Sequence, residues 1–205
     1  MLKGLFNYFE SLVVPFENGQ KGLIPKSLIG FVSYFSHGLT KYFIAVSFLN
    51  SLIAIGEALF FVSLGCIVDW TSQSSPHVFL QLYSKELLLM LLCAGVVLPT
   101  ASVLHSLLIH QTLSSNYSML IRWQLHTYLL SQSVSFFNDT LAGALANKVM
   151  QTSLALRTAV MKLIDVAVHL IVYITTMVIM LCSANLSLCL PLIIWLVFYI
   201  LSLFT

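Results

Sequence analysis

The chain has 205 residues, of which 59% are hydrophobic and 8% charged, with a formal net charge of +2. A soluble domain carries about a quarter charged residues, so this composition, with a mean hydropathy of +0.97, excludes a water-facing globule and points to an integral membrane protein. The small net charge and the absence of a basic cluster with interleaved aromatics exclude nucleic acid as a partner.

Residues 1–24 mix polar, glycine and proline positions, and read as a flexible leader. Asn7, Glu10, Glu17 and Asn18 interrupt any secretory h-region. Residues 25–38, PKSLIGFVSYFSHG, place Leu28, Ile29, Val32 and Phe35 near one helical face. That segment is too short to span a bilayer and suits a helix lying in the interface.

Four apolar runs follow, at about 42–68, 87–109, 163–182 and 186–204. A helix needs about 20 apolar residues to cross the hydrocarbon core. Asp69 to Pro76 read as a loop, Pro99 as a kink in the second run, and Ser183 to Asn185 as a tight turn between the third and fourth. The fold class is an all-α membrane protein: four transmembrane helices with long cytoplasmic helical extensions. Lys3, Lys21, Lys26, Lys41, Arg122, Lys148, Arg157 and Lys162 fall on one side of this topology, and Lys85 alone on the other. The positive-inside rule therefore puts the N-terminus and the middle connection in the cytoplasm.

That connection, 110–162, reads as a helical hairpin. Leu113, Tyr117, Leu120, Ile121, Leu125 and Tyr128 recur at helical spacing on the way out, and Leu145, Val149, Leu156, Val160 and Leu163 on the way back. About twenty helical residues would reach roughly 30 Å beyond the membrane. At the tip, Phe136 and Phe137 precede three good helix N-caps, Asn138, Asp139 and Thr140, and Gly143 permits a turn or a close approach. Exposed aromatics there imply a partner with a groove; phenylalanines folded back on the hairpin are the alternative.

Polar side chains inside the spans are candidates for a cavity wall. Glu57 lies near the middle of the first span, on one face with Asn50, and Ser102 and His105 form a patch in the second. Asp165 and His169, four residues apart, are expected to pair on one face of the third. A buried charge in lipid is costly and faces a bundle or a cavity; each group is read either as a contact for cargo or as a fixture of helix packing. Cys66, Cys93, Cys182 and Cys189 have no metal or redox spacing and read as packing residues. No metal site and no hydrolase triad is expected.

The order of HTYLLSQSVSFFNDTLAGALANKVMQTS, a returning apolar helix and NLSLCLPLIIWLVFY resembles the transmembrane domain of ABC exporters of the type-1 (type IV fold) class. Phe136, Phe137, Asp139 and Gly143 match that family's first intracellular loop. Pro191 takes the position of a proline in the fourth span, SLGCIVDW resembles the end of the first, and residues 25–38 would be the elbow helix. Lys148 matches a basic position after the loop, while Met150, Gln151 and Thr152 supply no acid there.

The resemblance covers most of residues 25–205 and implies a partial exporter domain. Phe136, Phe137, Asn138, Asp139, Thr140 and Gly143 would form a coupling helix that docks on a nucleotide-binding domain. The chain has no G-x-x-x-x-G-K-[ST] phosphate loop and no L-S-G-G-Q signature. It is expected to hydrolyse nothing alone, and ATP and Mg to bind only in a missing or partner nucleotide-binding domain. The ending LVFYILSLFT, with no basic anchor, reads as a fragment that stops before spans five and six. The partners implied are the lipid bilayer, a nucleotide-binding domain and a second transporter half, and the location a bacterial inner membrane. Two other functions fit the same residues: a self-contained four-span binding or scaffold protein, and a proton-coupled carrier using Glu57, His105 and Asp165.

Overall fold

A computed structural model describes residues 2–16, 25, 27–73, 76–138, 142–184 and 189–204. Among these the chain is all-helical, without a strand. The helices are α1 (Leu2–Ser11), α2 (Leu28–Ser36), α3 (Thr40–Gln73), α4 (Pro76–Leu92), α5 (Leu98–Ser106), α6 (Ser115–Leu130), α7 (Val134–Asn138), α8 (Ala142–Lys162), α9 (Val168–Ala184) and α10 (Cys189–Phe204). Three π turns, Cys93–Val97, Leu107–Ser114 and Leu163–Ala167, link α4 to α5, α5 to α6 and α8 to α9 without interrupting the helical path.

Three stretches are long and apolar enough to cross a membrane: Leu28–Ser72, Leu82–Leu130 and Ala142–Ser183, of 45, 49 and 42 residues. At 1.5 Å per residue each has an axial path of about 60–75 Å, roughly twice the hydrocarbon thickness. Much of every stretch therefore lies outside the lipid core. The fourth expected span corresponds to α10, an apolar helix of 16 residues, which is shorter than the other three. Of the tight turn expected at Ser183 to Asn185, Ser183 and Ala184 are the last residues of α9, and Asn185 lies outside the described residues.

Several boundaries differ from the sequence reading. The interfacial helix at 25–38 is not separate from the first span: a 3-10 turn, His37–Leu39, joins α2 directly to α3, and no proline after Pro25 breaks the path. Its start is fixed by Ser27, whose Oγ accepts from the Gly30 N–H at 3.2 Å. A Cβ at Gly30 would meet Ser27 Oγ at 2.7 Å and Pro25 Cβ at 2.9 Å, so glycine is needed there. Only Phe35 of the expected apolar face is buried; Leu28 and Ile29 are 85% exposed. The loop expected from Asp69 is helix as far as Gln73. Thr71 and Ser72 donate their hydroxyls to Ile67 O and Asp69 O, which satisfies those polar groups on the helix itself. Pro76 opens α4 at the first helical position, where its missing N–H costs nothing. Pro99 is preceded by a π turn in which the Leu98 N–H bonds to Cys93 O, the local adjustment that lets a proline sit in a spanning helix.

The chain forms two units, Met1–Leu49 with Ser102–Ala167, and Asn50–Ala101 with Val168–Thr205. The core of the first is Val13, Phe35, Leu39, Val46, Ile109, Leu113, Tyr117, Ile121, Leu156 and Val160. Its hairpin buries Leu113, Tyr117 and Ile121 on one side and Leu156 and Val160 on the other, as the helical periodicity predicts, whereas Tyr128 and Leu163 are exposed. Ser153, fully buried, joins α6 to α8 by accepting from Arg122 Nε at 3.1 Å and donating to Met150 O.

The leader is more ordered than its composition suggests. Residues 2–11 are helical, and Val13 enters the core. Thr112 Oγ1 donates to Phe9 O, Asn116 Nδ2 to Glu10 O and Tyr42 Oη to Leu12 O, at 2.9, 2.9 and 2.6 Å. The final carbonyls of a helix have no partner within it; here side chains from the core of this unit supply them. Residues 17–24 lie outside the described residues.

Candidate functional site

The hairpin tip is built by the way α6 ends. Ser131 N–H and Oγ both donate to Tyr128 O, and the Gln132 N–H donates to Leu129 O, closing the last turn in 3-10 fashion. The Phe136 N–H then bonds to Ser133 O at 3.1 Å and starts the one-turn helix α7. Phe136 and Phe137 are packed edge to face, with centroids 5.4 Å apart, and stay 37% and 40% exposed. Val134 and Leu130 add exposed apolar surface at 78% and 70%. The two rings touch each other, and neither is fully buried.

Asn138 ends α7, and Asp139 and Thr140 lie outside the described residues. Gly143 sits within the first turn of α8, where a Cβ would meet nothing within 4 Å. Among the described residues nothing approaches it closely.

The six intramembrane candidates separate into two constellations. In the second unit, His169 of α9 reaches α3. Its Nδ1 lies 3.1 Å from Asn50 Oδ1 and its Nε2 lies 3.5 Å from Glu57 Oε2. Asn50 is buried, whereas the Glu57 side chain is 48% exposed. Tyr173, one turn along α9, stacks on the imidazole with centroids 6.0 Å apart and planes 9° from parallel. Asn50 and Glu57 are seven residues apart, two helical turns, which is why they share a face of α3.

In the first unit, His105 Nε2 lies 3.5 Å from Asp165 Oδ1, with side chains 14% and 45% exposed. Asp165 lies inside the π turn Leu163–Ala167, where bonds close at five residues rather than four. Ser102 is exposed on α5 and joins neither pair.

Sequence reasoning missed Tyr173, although its spacing of four from His169 on one helix was a usable signal. It also missed Gly56, whose face lets Leu98 pack against the α3 backbone: a Cβ there would overlap Leu98 Cδ2. Beside that contact the second unit has an open apolar cavity of about 570 Å³, lined by Leu52, Leu59, Phe60, Cys66, Cys93 and Val97 among others. A cavity of about 450 Å³ in the first unit runs between the N-terminal segment and the start of α3, past Val13, Tyr34, His37, Lys41 and Gln124. Cys66, Cys93 and Cys182 are free thiols. Among the described residues no three His, Cys, Asp or Glu side chains converge on a point that could hold a metal ion.

Comparison with known proteins gives one kind of relative. The chain is 30% identical, over 205 aligned residues, to an uncharacterized ABC transporter ATP-binding protein of Haemophilus influenzae; the match takes in 97% of this chain and 32% of that protein. The chain thus spans about a third of the length of the relative it matches. No family model matches the chain. No solved structure matches it either. The similarity and the apolar helices together relate the chain to ABC transporters and fit an integral membrane protein with a transporter-related role.

Proposed function

We propose that this chain is the N-terminal, membrane-spanning part of an ATP-driven ABC exporter, carrying the first four spans and the first cytoplasmic hairpin. The observation that carries the reading is the similarity along nearly the whole chain to a protein named as an ABC transporter ATP-binding protein. The long helices support it: each spanning stretch has enough length to cross the lipid and continue into water as a lever.

In this reading Phe136, Phe137, Asn138, Asp139, Thr140 and Gly143 dock into a groove on a nucleotide-binding domain. The half-exposed phenylalanine pair is suited to that task, because it presents apolar area that the hairpin does not bury. The open surroundings of Gly143 leave room for a partner's backbone. ATP and Mg bind in that domain, outside these 205 residues, since no phosphate loop occurs among them. Asn50, Glu57, Ser102, His105, Asp165 and His169 line the path of the cargo. A second transporter half completes the bundle in a bacterial inner membrane, with the N-terminus inside.

The test is to purify the tagged chain from membranes of its own host and assay ATP hydrolysis in the preparation. The expected result is a co-purifying ATPase whose retention falls about tenfold with Phe137→Ala, a loss near 1.4 kcal/mol, while membrane insertion is unchanged. Equal retention by both forms, or no ATPase with either, would overturn the reading.

A further inference from the structure

The contact between α3 and α9 in the second unit has a chemical property that the transporter reading does not use. Asn50 Oδ1 is a carbonyl oxygen and can only accept. Its 3.1 Å contact with His169 Nδ1 therefore requires that Nδ1 carry a hydrogen. In a neutral imidazole with Nδ1–H, the other nitrogen holds a lone pair. That nitrogen, Nε2, is the one that faces Glu57 Oε2 at 3.5 Å. A carboxylate oxygen also offers only lone pairs. Two acceptors facing each other repel, and the repulsion grows where water is scarce. The contact is attractive only when one proton sits on either side of it, as imidazolium with carboxylate or as neutral imidazole with carboxylic acid.

We infer that Glu57 and His169 together form a site for one exchangeable proton, oriented by Asn50, and that this proton holds α9 against α3. The site belongs to the pair rather than to either residue. Binding forms an N–H or O–H bond to a proton taken from water, and release returns that proton to water. No other reactant is involved. The stacked ring of Tyr173 keeps the imidazole plane in place while the proton comes and goes.

The other ionisable groups near this face do not replace the proton. Asp69 lies on the same helix but about 18 Å farther along it at 1.5 Å per residue. Lys85 and Glu86, on α4, form no ion pair with either residue among the described ones. A lysine or arginine close to Glu57 would have made the carboxylate self-sufficient, and the described residues show none paired with it. The inference rests on this geometry and not on the relation to ABC transporters, so it can fail while that reading stands, and the reverse.

The experiment is 15N NMR of the 205-residue chain in lipid bilayers, labelled at histidine, across a pH series. The His169 resonances are identified by their loss in His169→Asn. The expected result is that Nδ1 stays protonated throughout while Nε2 changes state in one step. In Glu57→Gln that step should move, because the carboxylate that shares the proton is gone. Asn50→Leu should release the tautomer, so that neutral His169 divides between its two forms. A neutral Nε2–H tautomer at every pH would overturn the inference, because Asn50 would then be donating through its amide nitrogen and no extra proton would be held. An unshifted step in Glu57→Gln would overturn it as well. If Glu57→Gln does not fold, the tautomer of the unmodified chain decides alone.

Discussion

Asp165 Oδ1 lies 3.5 Å from His105 Nε2 on another helix, although His169 sits only one turn away on its own. Asp165 belongs to the π turn Leu163–Ala167. The pair ties α5 to the junction of α8 and α9. Because the aspartate is nearly half-exposed, its removal should cost only about 0.5–1 kcal/mol. His105→Ala and Asp165→Ala should each lower the melting temperature in detergent slightly. The exchanged pair, His105→Asp with Asp165→His, should recover most of that loss. A swap no more stable than the single variants would show that the contact contributes nothing.

Tyr117 is the largest side chain fully buried in the first unit, and its hydroxyl meets Ser36 Oγ at 2.8 Å while its ring packs edge-on against Phe43. Tyr117→Phe keeps the ring and strands the Ser36 hydroxyl, for a cost of about 1 kcal/mol. Tyr117→Ala removes the ring as well and should cost about 3–5 kcal/mol. Adding Ser36→Ala to Tyr117→Phe should return part of the loss, since both partners are then apolar. Thermal unfolding of the three variants beside the unmodified chain, in one detergent, checks the order.

Helix and lipid exposure were readable because they depend on local pattern. Leu113, Tyr117 and Ile121 repeat every four residues, and the same three are buried. What was hidden depends on partners far along the chain. Thr112 and Asn116 carry polar side chains, yet both are buried because they meet carbonyls 103 and 106 residues away. No periodicity announces such a partner. The π turns were equally silent, and so were the contacts of His105 with Asp165 and of His169 with Glu57, each of which joins residues far apart in the chain. At the tip, Phe136 and Phe137 keep 37% and 40% of their surface exposed, while Asp139 and Thr140 fall outside the described residues.

The same long-range bonds make the N-terminal helix separable. Thr112→Val and Asn116→Leu each leave one carbonyl of α1 without its partner. Together they should weaken the docking of residues 2–11 by about 2 kcal/mol. Hydrogen exchange in α1 should then quicken about thirtyfold, with exchange in α9 unchanged, because each unit opens on its own terms. Unchanged protection of α1 would mean that Val13 and Tyr42 alone hold it.

Gly56 and Leu98 offer a test of helix packing in the second unit. A Cβ on Gly56 would overlap Leu98 Cδ2 and come within 3.4 Å of its Cγ, so α3 and α5 approach closely there only because the glycine has no side chain. Small residues play this role in membranes, where packing rather than water drives helices together. Gly56→Ala asks Leu98 to turn its branch away, and should cost about 1–3 kcal/mol. Gly56→Ala with Leu98→Ala should be more stable than the sum of the two single losses predicts, since the second change clears the space that the first one fills. Melting temperatures of the two single variants and the double variant, taken at one lipid-to-protein ratio, give the coupling directly. Strict additivity would mean that the close approach is relieved elsewhere along α3.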